Sequence, residues 1–216
     1  MDTNQELFRA RPIPRAVAAL ALPTILSQLI VMIYNLADTF FIGQTNDPCK
    51  VAATSMAYVL FFLLNALANL FGIGGGSLIS RLLGRDQPAD AKAVSSFSFY
   101  GTILVTAVYC AACLIFMTPI LRLMGASDDT LGFARDYTFW VVVIGGIPAT
   151  LSMAMSHLLR SDGYGKQAGF GLTTGGILNI FLDPLFMFVI MPKGQEVVGA
   201  AVATLISNAI ALGYYM

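Results

Sequence analysis

Six stretches of this chain carry no Asp, Glu, Lys or Arg, and they limit the possible folds more than any other feature: 16–37, 51–80, 93–121, 137–159, 167–182 and 197–216. The first runs on past Asp38 to Gly43, and the fifth past Asp183 to about Ile190. A spanning helix needs about 20 mostly apolar residues to cross about 30 Å of hydrocarbon. Six such runs cannot all hide inside one soluble core built from 216 residues. Only 11% of the residues are charged, against roughly one quarter in soluble domains, and 57% are hydrophobic. The expected fold is an all-α integral membrane protein with six transmembrane helices.

Arg9, Arg11 and Arg15 ahead of an apolar segment also fit a cleaved signal peptide. The segment is too long for one, contains Gln28, Asn35 and Asp38, and has no small-x-small cleavage site, so it reads as the first span. Residues 1–15 are then a cytoplasmic N-terminal segment, and 16–216 a six-helix transmembrane lobe. Five short connections join the spans, at 44–50, 81–92, around 122–136, 160–167 and 192–196, each with Gly or Pro among charges. Basic residues set the orientation, whereas net charge, here zero, does not. Arg9, Arg11, Arg15, Arg81, Arg85, Lys92, Arg160 and Lys166 fall on one side, and Lys50, Arg122, Arg135 and Lys193 on the other. Eight against four places both termini in the cytoplasm of a multi-pass protein of the plasma or inner membrane. The chain stops at ALGYYM inside an apolar run with no basic flank, as expected for a piece of something longer.

Of the acidic residues, only Asp38 and Asp183 lie within spans. A charged carboxylate at membrane depth costs at least about 2.5 kcal/mol, so each must face protein or water, find a partner, or take up a proton. At 1.5 Å rise per residue, Asp38 lies about 7 Å, and Asp183 and Thr204 about 10 Å, below the outer ends of their helices. Asn179 shares a face with Asp183, and Asn35 with Asp38. Asp38, Asn35, Asn179, Asp183 and Thr204 thus offer carboxylate, carboxamide and hydroxyl oxygens at one depth, the ligands a hard cation such as Na⁺ prefers. A proton would use the same carboxylates. Pro184 removes a backbone hydrogen bond to Ile180 and is expected to kink or thin the fifth span beside them. The competing reading is helix–helix glue, but no basic residue in the spans is available to pair with either acid.

Other motifs point to packing. Cys110 and Cys113 form a C-x-x-C inside an apolar span, without the βαβ context of a redox site. GIGGGS at 72–77 lacks the strand and Lys of a phosphate loop, and close helix packing is expected instead. His157, the only histidine, lies near the inner end of the fourth span, far in depth from the acids unless that span bends at Pro148. It suits an interfacial hydrogen bond better than a proton relay. No nucleophile–base pair, zinc site or nucleic-acid face is present in the sequence, and no enzyme activity or cofactor is expected.

The spacing N-x-x-x-D-P-x-F in NIFLDPLF, followed by GAAVAT at 199–204, resembles the fifth and sixth helices of the multidrug and toxic compound extrusion (MATE) transporters. LALPTILSQLIVMIYNLADTFFIG at 20–43 resembles the family's first helix, with Pro23 early and Asp38 late. GIGGGSLISRLLGRDQPADAK resembles the end of the second helix and its loop, and LLRSDG at 158–163 the loop after the fourth. The resemblance covers essentially the whole chain and implies an antiporter that exports amphipathic, often cationic drug-like compounds in exchange for H⁺ or Na⁺. It makes Asp38, Asn179, Asp183 and Thr204 the cation-coupling set of the N-terminal lobe, and it implies a second, C-terminal lobe needed for full function. The chain departs from the family by having Ser156 and His157 before the basic residue after the fourth span. Two alternatives remain open at this stage: a lipid-linked oligosaccharide flippase of the same superfamily, and a non-transporting membrane scaffold or accessory half-protein.

Overall fold

The computed structural model describes residues 13–216; residues 1–12, with Arg9 and Arg11 of the expected N-terminal segment, lie outside the described residues. Among the described residues eight α-helices follow one another: α1 (Ile13–Gly43), α2 (Pro48–Gly84), α3 (Pro88–Ile115), α4 (Met117–Leu123), α5 (Asp128–Thr138), α6 (Gly146–Ser161), α7 (Gly165–Leu185) and α8 (Glu196–Tyr215). Two π-helical segments, Phe139–Ile144 and Phe186–Ile190, follow α5 and α7. Five helices are long and apolar enough to cross a membrane, and the pair Asp128–Ile144 and Gly146–Ser161, bent by 48°, makes a sixth, broken span. The chain is therefore a multi-pass membrane protein, with six spans among the described residues when the bent pair is taken as one.

Lipid is the natural solvent for its outside. On α1, Leu22, Leu29, Met32, Leu36 and Phe40 recur at helical spacing and are at least half exposed, while Ser27 and Ile42 are buried. Inside, Leu64, Leu121 and Val142 centre one apolar cluster, and Met187, Val197 and Ala200 another. The bundle is tied at one end by Lys50, whose Nζ lies 3.0 Å from Glu196 at the start of α8. Asp47 caps α2 there by accepting the Cys49 N–H at 3.0 Å, with Pro48 in the first turn. The opposite end carries Arg81, Arg160 and Lys166. These are called the Lys50 end and the Arg160 end below.

Two sequence expectations need amendment. The stretch around 122–136 is not a simple connection, because α4 and α5 occupy most of it. Ser127 and Thr130 form a reciprocal capping box, and Asp128 and Asp129 sit in the first turn, where the helix dipole favours negative charge. Second, the fourth span breaks at Gly145 instead of Pro148. The Gly145 N–H donates to Trp140 O, five residues back, closing the π turn, and a Cβ on Gly145 would lie 2.8 Å from Val141 O. Pro148 lies in the first turn of α6, where a missing N–H is harmless. At Pro184, the expected weak point, α7 continues and passes into the π segment, where Met191 N–H donates to Phe186 O at 3.0 Å. Lateral widening absorbs the lost bond without ending the helix.

The glycines of GIGGGS bring α2 against α6. A Cβ at Gly72 would sit 3.1 Å from both Ala154 Cα and His157 Cβ, so only hydrogen permits the approach. Cys110 and Cys113 are buried free thiols, and Cys110 Sγ lies 3.1 Å from Val142 O.

Candidate functional site: buried carboxylates between three helices

Asp183 on α7 is fully buried, and Asn179 one turn earlier is 2% exposed. Their i, i+4 spacing stacks the two side chains, and Asn179 Nδ2 donates to Asp183 Oδ1 at 2.9 Å. The same amide reaches Thr204 Oγ1 on α8 at 3.4 Å. Asp38 arrives from α1, where its Oδ2 accepts the Tyr137 hydroxyl at 3.3 Å. Asp38 lies within electrostatic reach of Asp183, and Tyr34 and Tyr137 each feel both carboxylates. Four sequence-singled residues, Asp38, Asn179, Asp183 and Thr204, thus converge where α1, α7 and α8 meet the α5 end of the broken span.

Asn35 meets this group through its side-chain hydrogen bond with Tyr34. Its peptide oxygen accepts the Thr39 hydroxyl at 3.0 Å, and its carboxamide makes no hydrogen bond to either carboxylate among the described residues. Pro184 follows Asp183 directly, at the point where α7 gives way to the π segment. His157 packs over Gly72 near Arg160, at the other end of the bundle, and its Nε2 is buried without a partner.

Oxygen atoms without partners mark the centre of the site. Asp38 Oδ1, Asp183 Oδ2 and Asn179 Oδ1 are buried and accept no hydrogen bond from the protein. Buried acceptors left unmade cost about 1–3 kcal/mol each, so an arrangement with three of them is poised for a cation, a proton or water. No group of three or more His, Cys, Asp or Glu with metal-holding geometry exists among the described residues. The donor set instead mixes two carboxylates with amide and hydroxyl oxygens, which fits a monovalent hard cation or a shared proton better than zinc.

Sequence reasoning missed two hydroxyls. Tyr34 lies four residues before Asp38, so helical spacing alone could have joined it to the site. Tyr137 could not be found that way, because it lies 99 positions from Asp38 in a stretch that reads as the edge of a connection.

The fold is that of a multi-pass helical membrane protein with two buried acids among its packed helices. The family model described as MatE matches residues 23–185, and the chain belongs to this family. The multidrug export protein MepA of Staphylococcus aureus is 32% identical over 215 residues, covering 100% of this chain and 47% of that protein. MepA of Staphylococcus saprophyticus shows the same identity and coverage. The chain therefore spans about half the length of the curated relatives it matches. A crystallised MATE protein in complex with MaD5 superposes with a TM-score of 0.91 at 26% identity, over 100% of this chain and 48% of that one. An outward-facing multidrug resistance MATE transporter of the MOP superfamily gives a TM-score of 0.84 at 26% identity, over 100% and 46%.

Proposed function

We propose that this chain is the N-terminal lobe of a secondary multidrug efflux antiporter, in which Asp38 and Asp183 couple export of amphipathic or cationic drug-like compounds to inward movement of H⁺ or Na⁺. The observation that carries this reading is the convergence of two membrane-depth carboxylates with unpartnered oxygens. A purely structural acid would be expected to satisfy its lone pairs. MepA, a multidrug export protein, supports the substrate class. The oxygens of Asp38, Asn179, Asp183 and Thr204 would hold the cation, and Asn35 lies close enough along α1 to shift if that helix rotates.

Coupling follows from differential binding. A cation or proton shared by Asp38 and Asp183 removes the repulsion between them and favours the arrangement in which α1 and α7 close together. Substrate favours the arrangement in which they part, so each ligand drives out the other. The π segment after Pro184 is a soft point in α7 where such a change can be absorbed. By the count of basic residues, the Arg160 end and both termini face the cytoplasm, and the Lys50 end faces outward.

A flippase for anionic lipid-linked substrates is less well supported. Such a cavity calls for Lys or Arg at mid-depth, whereas Lys50 and Arg160 lie near the ends of their helices. The chain also matches, at a TM-score of 0.84 and 26% identity, a Pyrococcus furiosus MOP-superfamily transporter described as having a binding pocket of reverse polarity that suggests a different function. Two acids and no Lys or Arg in the middle of the spans are what favour the antiporter over the flippase. The test is Asp38→Asn and Asp183→Asn in the intact transporter, reconstituted in vesicles with an imposed H⁺ or Na⁺ gradient. Each is expected to abolish gradient-driven drug efflux while insertion and folding persist. Undiminished coupling in both variants refutes the mechanism, and efflux by the 216-residue chain alone refutes the need for a second lobe.

A further inference from the structure

A narrow cavity of about 30 Å³ leads away from the carboxylates, lined by Tyr34 of α1, Gly175 and Asn179 of α7, and Thr204, Ser207 and Asn208 of α8. We propose that it is a water-filled track that connects the acid cluster to the Arg160 end, along which the coupling proton or cation passes, with Tyr215 as its plug. The proposal rests on the coupling role given above for Asp38 and Asp183.

The track's direction follows from helix geometry. On α8, Thr204, Ser207, Asn208, Ala211 and Tyr215 recur three or four residues apart and so share one face. On α7, the lining runs from Asn179 through Gly176 and Gly175 to Leu172. Both rows span seven residue steps, about 10 Å of helix, from Asn179 and Thr204 beside the carboxylates to Leu172, next to the Gly171 that Tyr215 covers, and Ala211, one turn short of Tyr215. α7 and α8 nearly touch there, since a Cβ on Gly175 would lie 3.1 Å from Ala211 Cβ and 3.3 Å from Ser207 O.

Its chemistry is wet. A void needs about 10–15 Å³ and two to four polar partners to hold a water, so this one has room for about two. Ser207 is 3% exposed and its Oγ has no partner, and Asn179 Oδ1 is equally unpartnered. Waters between them would satisfy both, and would extend the hydrogen-bonded row Asp183–Asn179–Thr204 by a further turn. An apolar cavity of this size stays dry, but five of the lining side chains are polar.

The far end is closed. The Tyr215 hydroxyl donates to Ala168 O at 2.6 Å, and its ring occupies the space that a side chain on Gly171 would need. Just behind it lies Arg160, whose Nε and Nη2 are buried without partners and whose charge reaches Tyr215. A guanidinium at the mouth repels cations until the plug moves.

The experiment is synchrotron hydroxyl-radical footprinting of the purified protein with mass-spectrometric readout, followed by transport in the intact transporter. Radicals form from bound water, so Tyr34 is expected to be oxidised at least about 10-fold faster than half-buried Tyr109, whose hydroxyl is tied to Leu60 O, and Leu172 faster than the buried Leu64 by a similar factor. Ser207→Val fills the void and is expected to remove that excess, whereas Ser207→Ala, which leaves the void open, keeps it. Asn208→Leu serves as a second filling variant if Ser207→Val does not fold. In transport, the filling variant is expected to slow gradient-driven exchange about 10-fold or more without changing equilibrium cation binding. Equal labelling of Tyr34 and Tyr109 overturns the track while leaving the coupling role of the carboxylates intact. Labelling lost with exchange unchanged overturns the route. Coupling that survives Asp38→Asn removes the parent reading, although the footprint of the track would still be seen.

Discussion

Replacing Asp183 by Asn should make the protein more stable, and the size of the effect can be worked out from the site. Asp183 is fully buried, with one oxygen accepting from Asn179 at 2.9 Å and the other accepting nothing. An unmade buried acceptor costs about 1–3 kcal/mol, more when charged. Asparagine has nearly the same shape, so the substitution opens no cavity and adds no volume. It turns the unpartnered Oδ2 into an N–H₂ that can donate to Asn179 Oδ1, itself without a partner. Nothing offsets this gain, because no cation in the described spans loses an ion pair with Asp183. Because any bond between positions 179 and 183 lies within α7, what separation of the helices registers is the repulsion between ionised Asp38 on α1 and Asp183, and its removal by Asp183→Asn is expected to stabilise the bundle by about 1–2 kcal/mol. The assay is reversible unfolding in bicelles by steric trapping, which counts helix separation and leaves each helix intact. That distinction matters for the control. The Asn179–Asp183 bond lies within α7 and survives separation, so only the 3.4 Å contact from Asn179 to Thr204 is lost between helices. Thr204→Val should then cost only about 0.6 kcal/mol, the usual size of such interhelical bonds. A loss of more than 1 kcal/mol in Asp183→Asn would refute the reasoning, for it would mean that the acid holds the helices together and is not kept for function at the expense of stability.

Two further outcomes follow from the packing. Glu196→Gln leaves Lys50, mostly buried above the Phe133 ring, without the carboxylate now 3.0 Å away, and should cost about 2 kcal/mol in the same unfolding assay, intermediate between exposed and fully buried pairs. Gly72→Val pushes α2 from α6 at the contacts with Ala154 and His157, and should lower stability by about 1–3 kcal/mol, with a new cross-link pattern between the two helices as the independent readout.

Much of this protein was legible in one dimension. In a bilayer every backbone polar group must be satisfied within its own segment, so charge-free runs of about 20 residues translate directly into helices. For the same reason two acids in such runs stand out, and helical spacing is enough to stack Asn179 on Asp183 and to align Thr204 with Ser207. The capping box of Ser127 and Thr130 is local chemistry too, but the charged stretch around it reads as a connection and hides the start of α5. What the tertiary structure alone decided is how these faces meet. Tyr137 reaches Asp38 only because α5 and the π segment before Gly145 swing that hydroxyl across, and a π turn has no sequence period of its own. Pro184 announced a weak point, but whether it would kink or widen α7 depended on neighbours that could accommodate the bulge. The cavity beside Ser207 is likewise a property of three helices together, since a void is the space that separate side chains fail to fill.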